Sequence, residues 1–522
     1  MMYTRTVCAT ALMGSLAWLA TGPAAAQADQ ESVQLIMVKP PTAAFGRHRL
    51  RSLYAALKKR AGKGTRQVLP LTKAEVWSVP KANVGAVKKA AAQHGVLMNQ
   101  LGAAWNQVFH RARADMKVND KQKSILDRAR ASSATVGVGL MAAPAPPMVE
   151  YALVKDANTP TATKISVALS DQTVLSITRT SVDIKSDMCI WRGTVDGTGA
   201  PATLMWWPGG KMAGTVQHQG RIYSIRPMGG EAHAIVALGE DRMPQEHAAM
   251  PARLRANDPN LRDDPLVNQG DASVLRPGGT RPPTPQAPDL QKKSSAKGDA
   301  QANDIIIDVI VAYTRKAASN YTDIKNELIG LSIEEANESF RQSGIGQVKL
   351  RLVHAYETDY VEEGAHFDHV WRFADKGDGY MEEIHGLRDK YKADVAILIV
   401  DDPKGCGLAT RVYADADEAF AVVHHECAAS TYSLAHEIGH IIGARHDLNL
   451  DTVMTPFPYG HGYVNGTKWR DIMSYKESCG GCPRLPVWSS PKVLIKGEPA
   501  GTPELDNARV ILEQAARVAA FR

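Results

Sequence analysis

The chain has 522 residues, 44% of them apolar, which exceeds one ordinary domain and can fill more than one core. Net charge is +6 overall, but residues 1–303 carry 38 Lys and Arg against 22 Asp and Glu, net +16, while residues 304–522 carry 23 against 33, net −10. The basic side chains are scattered without interleaved aromatics, which argues against nucleic acid as a partner, and opposite charge on two parts of one chain fits docking of one on the other.

The first stretch, "MMYTRTVCATALMGSLAWLATGPAAAQADQ", has Arg5, an apolar run over 7–19 and then small residues. That is the order of a secretory signal peptide cut after Ala26 or Ala28, so residues 1–28 are expected to leave and the protein to be secreted or periplasmic. The apolar run is shorter than the roughly 20 residues that a membrane span needs, and nothing later is longer. Residues 29–253 form the next region. "VQLIMVK" (33–39) and "KAEVWSVP" (73–80) predict strands, beside helix-like "RHRLRSLYAALKKRAG" and "ANVGAVKKAAAQHG", together a small α+β unit. From 150 to 240, short alternating segments such as "TVLSITRTSVDI", "ATLMWW", "MAGTVQ" and "RIYSIRP" between Gly-rich turns predict an antiparallel β unit. Residues 254–303 are Pro, Gly, Ser and charge with almost no aromatic content, the composition of a disordered linker.

In residues 304–522, "DIIIDVIVAY" (304–313) and "ADVAILIV" (393–400) are apolar runs of buried-strand type. Between them the spacing predicts a helix over 322–342, a strand over 348–356 and a helix over 378–391. "EAFAVVHH" (418–425) reads as another strand. Thr502 as N-cap, Pro503 at the first helical position and apolar spacing through Phe521 predict a closing helix. Alternating strands and helices give an α/β sandwich around a sheet.

Four of the six cysteines, Cys406, Cys427, Cys479 and Cys482, fall in this last region, and an even set in an exported domain suggests two disulfides. Of the three pairings, Cys406 with Cys427 and Cys479 with Cys482 is favoured. Cys479-Gly-Gly-Cys482 also has the spacing of a zinc or redox pair, but no second CxxC or thioredoxin-like context supports either. Cys8 leaves with the signal, and Cys189, in "SDMCIWRG", is the odd thiol.

The stretch "TYSLAHEIGHIIGARHD" (431–447) carries the chemistry. His436 and His440 are four apart, so on a helix they stand about 40° apart on one face, where both imidazoles reach one ion. Gly443 lets the chain turn out of the helix so that His446 returns to the same ion. Three histidines leave a fourth position for water, the pattern of a catalytic zinc site. Glu437, next to the first ligand, is placed to act as general base on the zinc-bound water.

His436-Glu437-x-x-His440-x-x-Gly443-x-x-His446 resembles the metzincin signature, and "RDIMSY" (470–475) resembles the Met-turn, with Met473 as the apolar floor beneath the metal. Asp447 directly after the third His resembles the reprolysin branch. Together with "VIVAYT", "YKADVAILIV", "CGLA", "CPRLPVWSSP" and "DNARVILEQAARVAAFR", the region 304–522 is similar to the bacterial reprolysin-like peptidyl-Asp metalloendopeptidases, and the upstream region to the prosegment such enzymes carry. The resemblance implies a zincin/metzincin α/β (α+β) catalytic domain with a twisted mixed sheet and an active-site helix. It also implies one catalytic Zn²⁺, peptide or protein substrates, and a secreted endopeptidase that is made as a latent precursor and cuts on the amino side of Asp.

Several residues take roles from that resemblance. Tyr475, two residues after the Met, is similar to the astacin and serralysin tyrosine that swings to the transition state, which makes it a candidate oxyanion donor. Cys189 faintly resembles a prosegment thiol that blocks the zinc, although it also fits a strand as a plain core residue. The wall of the pocket for the residue after the scissile bond is made in metzincins by the segment after the Met-turn, here "CGGCPRLPVW", so Arg484 is the candidate reader of an Asp carboxylate. Arg445 and Arg470 are competing cations. His424, His425 and His461 lack ligand spacing. Asp447-x-Asn449-x-Asp451 hints at a calcium loop, but Thr452 and Pro458 stand where an EF-hand needs Gly and Glu, so no structural calcium is expected. Two rival readings are zinc hydrolysis of a non-peptide amide and a non-catalytic binding protein on the same fold; a dead copy would usually lose Glu437 or a ligand, and all four are present.

Overall fold

The computed structural model describes residues 32–38, 47–68, 74–100, 107–142, 163–244 and 304–522, apart from 171, 186, 208, 209 and 365. The expected signal peptide (1–28) and linker (254–303) lie outside the described residues. The described residues divide into two compact units, one within 32–100 and the other within 107–522. Among the described residues no helix is long and apolar enough to cross a membrane.

The first unit is the small α+β fold read from the sequence. Strands β1 (Ser32–Val38), β2 (Thr65–Val68), β3 (Glu75–Pro80) and β4 (Leu97–Gln100) form an antiparallel sheet in the order β2-β3-β1-β4, with helices α1 (Arg47–Ala61) and α2 (Val84–Gln93). Leu53, Leu57 and Ala61 recur every four residues on one face of α1 and pack with Leu35, Trp77, Val79 and Val87.

The second unit opens with a closed nine-stranded barrel. Its strands are β5 (Gln107–Ala112), β6 (Thr135–Ala142), β7 (Lys164–Ala168), β8 (Val174–Ile184), β9 (Cys189–Val195), β10 (Pro201–Trp206), β11 (Met212–His218), β12 (Arg221–Gly229) and β13 (Ala232–Gly239), with helix α3 (Asp120–Ala131) between β5 and β6. The β unit therefore begins at 107, well before the 150 expected from the sequence, and its β5–β7 pair is parallel. Alternate side chains fill the interior, among them Trp191, Leu204, Trp206, Val216, Ile225 and Ile235. Cys189 is fully buried in this cluster, which is made entirely of barrel residues, and it sits opposite Trp206 in the ladder. This corrects the latency-thiol reading: Cys189 is a barrel core residue.

Residues 304–522 build a five-stranded mixed sheet. Strands β14 (Ile305–Thr314), β15 (Val348–Thr358), β16 (Val395–Val400), β17 (Gly407–Ala409) and β18 (Phe420–His424) take the order β15-β14-β16-β18-β17, all parallel except β17, which pairs antiparallel with β18 at the edge. The unbroken apolar run of β16 has a direct cause. Val395, Ile397 and Ile399 enter one hydrophobic cluster while Ala396, Leu398 and Val400 enter another on the opposite face, so no position faces water.

The helices of this part are α4 (Arg315–Ala318), α5 (Gly330–Gln342), α6 (His366–Ala374), α7 (Glu383–Tyr391), α8 (His425–Ala428), α9 (Ser433–Ile442) and α10 (Asn507–Val518). The helix expected over 322–342 starts as a π turn at Lys325–Ile329 and continues as α5. α6 was not anticipated. α10 starts four residues later than Thr502 would set it, because the Asp506 side chain accepts from Arg509 N at 3.0 Å and is the true N-cap. At the other end of α10, Arg517 donates to the carbonyls of Ala414, Ile441 and Ile442 at 2.6, 3.3 and 3.1 Å, so it closes the C-terminal end of α9.

Barrel and peptidase part share cores. Met188, Ile190 and Met205 of the barrel join the cluster that holds Ile329, Ile333 and Ile438, and Ile125, Leu126 and Met228 pack with Cys406 and Cys427. Around these apolar patches basic barrel residues meet acidic partners. Arg192 reaches Glu334 at 3.2 Å and Glu338 at 3.0 Å, Lys211 reaches Asp323 at 3.0 Å, and the Glu335 carboxylate accepts from Thr215 at 2.5 Å and Thr203 at 3.2 Å.

Candidate active site

Every residue of α9 is buried. Leu434, Ile438, Ile441 and Ile442 face the hydrophobic cluster, which leaves His436 and His440 on the remaining face, one turn apart. Gly443 then adopts φ +133°, and a Cβ there would meet the Phe457 ring at 2.9 Å, so only glycine turns the chain here. The turn carries His446 back. Its Nε2 lies 3.2 Å from Nε2 of His436 and 2.9 Å from Nε2 of His440.

Main-chain carbonyls fix the imidazoles. Nδ1 of His436 donates to Ile472 O at 2.9 Å and Nδ1 of His440 to Ala444 O at 2.9 Å, so in each ring the proton is on Nδ1 and Nε2 offers a lone pair to the common point. Three buried imidazole nitrogens converging this closely fit a divalent cation of zinc's preference, with three His ligands and an open fourth position. The Glu437 carboxylate is buried against the backbone of edge strand β17: a Cβ on Gly407 would stand 2.3 Å from its Oε1. Met473 is fully buried, and the residue before it supplies the carbonyl that fixes His436.

A sequence profile of metallo-peptidase family M12 (Reprolysin_5) matches residues 303–489. The chain is 36% identical over 316 residues to a peptidyl-Asp metalloendopeptidase of Xanthomonas campestris pv. campestris, covering 60% of this chain and 68% of that one. A protein of the same name from Stenotrophomonas maltophilia is 31% identical over 418 residues, 76% of this chain and 92% of the relative. The chain belongs to the M12 metallopeptidase family. As an M12 peptidase it is a zinc metalloendopeptidase, and the three histidines form a group that could hold a metal ion. A further relative of that name, from Pseudomonas fragi, is 32% identical over 190 residues and is covered along its full length by 36% of this chain.

In this M12 peptidase Asp447 ties the third histidine to the Met-turn. Its Oδ2 accepts from Tyr475 N at 3.1 Å and its Oδ1 from Ser478 Oγ at 2.7 Å and Asn449 N at 3.1 Å, while burial raises its pKa. The Tyr475 hydroxyl lies 3.4 Å from Nε2 of His446, at the edge of the metal position. His461, with no ligand spacing, donates from Nδ1 to His446 O at 2.9 Å and so supports the ligand loop. Asp451 of the calcium-like run is taken by Arg445 and by Val453 N. Two disulfides join Cys406 to Cys427 and Cys479 to Cys482, the favoured pairing.

Arg484 is not on an open pocket wall. It is buried, and its Nη1 and Nη2 donate to Thr431 O at 2.9 Å and Ser474 O at 3.0 Å, so it is a fixed guanidinium and not a surface residue. Sequence reasoning also missed two features. His424 and His425 come together with Asp401 to place ligand-type atoms within 4.8 Å, although His425 is already bonded to the Tyr321 hydroxyl at 3.0 Å and lies 3.4 Å from Asp401. Arg470 meets Glu240, which follows the barrel's last strand, at 2.6 Å. Neither has a spacing signal, because the partners are far apart in sequence.

Proposed function

We propose that this peptidase is exported, made as a latent precursor, and cleaves peptide bonds on the amino side of Asp with Glu437 as its general base. The observation that carries the reading is the convergence of Nε2 of His436, His440 and His446 beside a buried Glu437 carboxylate. Zinc, when bound there, acts as a Lewis acid that polarises the scissile carbonyl and lowers the pKa of water toward about 7. Glu437 takes the proton from the attacking water and delivers it to the leaving amine. Gly407, lacking a side chain, lets the edge strand lie against that carboxylate. Tyr475 donates from its hydroxyl to the oxyanion, and Asp447 holds its backbone in place.

Export rests on the signal-like first 28 residues, and latency on the barrel's contacts with the peptidase part. Asp preference rests on the relatives' shared name. Digestion of a proteome-derived peptide library by the processed protein, with and without a zinc chelator and read by mass spectrometry, tests the zinc mechanism and the Asp preference. Chelator-sensitive cuts with Asp enriched after the scissile bond are expected; chelator-insensitive cleavage overturns the zinc mechanism, and a flat distribution after the cut overturns the Asp preference.

A further inference from the structure

Two arginines converge on one carbonyl oxygen. Ser474 O, between Met473 and Tyr475, accepts from Arg470 Nε at 3.1 Å and from Arg484 Nη2 at 3.0 Å. Both side chains are buried, Arg470 at 1% and Arg484 at 3% exposure, so two like charges lie close together where water screens them poorly. Their other bonds reach Cys482 O, in the disulfide loop, and Thr431 O, just before α9. The pair therefore bridges the Met-turn, the start of the active-site helix and the Cys479–Cys482 loop.

The carboxylate at this dication comes from the barrel side: Glu240 Oε1 lies 2.6 Å from Arg470 Nη2. Glu240 and Arg484 both act on Tyr432, the residue before α9. Burial pushes the Tyr432 hydroxyl up, Glu335, Glu240 and Glu338 push the same way, and Arg484 opposes them. The chain then continues from Glu240 to Pro244, whose carbonyl lies 3.4 Å from Cys406 Sγ, next to Gly407 of β17. This short run leads from the arginines to the strand that lies against Glu437.

We propose that Arg470, backed by Arg484, receives the carboxylate of the substrate residue after the scissile bond, and that Glu240 fills this subsite in the precursor as an internal mimic of that substrate. The inference rests on the Asp preference proposed above. Nε and Nη1 of Arg470 are taken by Ser474 O and Cys482 O, so Nη2 is the donor that Glu240 meets, and an Asp or a Glu carboxylate would meet the same donor. Because Glu240 belongs to the barrel side, cutting the linker and releasing the barrel frees the subsite, so the linker-cleaved proteins below are assayed at pH 8, where the two parts separate.

Two fluorogenic peptides that differ only in Asp or Asn after the cut test this. Linker-cleaved wild type is expected to favour the Asp peptide; no preference there overturns the Asp reading itself. Linker-cleaved Arg470→Gln is expected to lose the preference, with an Asp-to-Asn ratio near that of an enzyme blind to charge; an unchanged ratio overturns the role of Arg470. Full-length Glu240→Ala is expected to cleave the Asp peptide faster than the full-length wild type, on the order of tenfold for a lost charged contact, while the Asn peptide gains far less. Equal gains for both peptides, or none, overturn the mimicry and leave Glu240 as an ordinary interdomain contact. If Arg470→Gln does not fold, the Glu240→Ala comparison decides alone.

Discussion

A Cβ on Gly407 would stand 2.3 Å from Oε1 of Glu437, and 2.9 Å from its Cγ and Cδ. Gly407→Ala therefore has to displace the carboxylate, since the strand is fixed by its ladder to β18. The expected result is a fall in kcat/KM on the order of 10²-fold with zinc content unchanged, approaching that of Glu437→Gln, which removes acid–base catalysis worth about 10² to 10⁴. Steady-state kinetics beside atomic absorption check it. Wild-type turnover in Gly407→Ala would show that the carboxylate position does not matter.

Tyr475→Phe keeps the ring and loses only the hydroxyl near His446. Loss of one oxyanion donor costs about 10² or more in kcat with little effect on KM. An unchanged kcat would make Tyr475 a packing residue beneath the Met-turn.

Removing the metal leaves three imidazole nitrogens facing one another in a buried site. A ligand at a hundredfold excess over its Kd stabilises the folded state by about 2.7 kcal/mol, so chelator should lower Tm and added zinc should restore it. Calorimetry with and without chelator reads this directly. A Tm indifferent to both would mean that the histidines hold no ion in the folded protein.

Docking of barrel on peptidase should weaken as pH rises. Burial raises Glu335 to about 7, against the lowering pull of Thr215, Arg192 and Thr203, while Glu338 adds to the rise. Thr203 and Thr215 belong to the barrel, so undocking returns Glu335 to water and to the ordinary carboxylate range. The docked state thus binds the extra proton between that range and about 7; docking is strongest below it and loses this contribution as pH rises through about 7. After linker cleavage, size-exclusion chromatography should show co-elution at pH 5.5 and more separation at pH 8, and Glu335→Gln should flatten the difference. A larger separation at the lower pH would refute the assignment.

The zinc motif was legible because its logic is local: His436, Glu437, His440, Gly443 and His446 sit on one helix and one turn, where spacing alone sets geometry. The run over β16 was equally legible as a buried strand, though not its division between two cores. The start of the barrel was not. Gly137 and Gly139 interrupt the apolar alternation of β6, and β5 pairs in parallel with β7 across an intervening helix and strand, a contact with no local signature. The arginines show the same limit. Arg484 looked like a reader because its loop is right, yet the charge that separates it from Arg470 is Glu240, 230 residues upstream.

Arg517 closes the end of the active-site helix from 76 and 75 residues beyond Ile441 and Ile442. During translation all three histidines leave the ribosome well before the arginine that satisfies their helix's last carbonyls. A chain that stops between His446 and Arg517 carries the complete ligand set on a helix that keeps the upstream Ala414 N on Ile441 O at 3.1 Å but lacks the guanidinium on Ile442 O. The order of synthesis thus separates possession of the metal motif from the last bond that closes its helix.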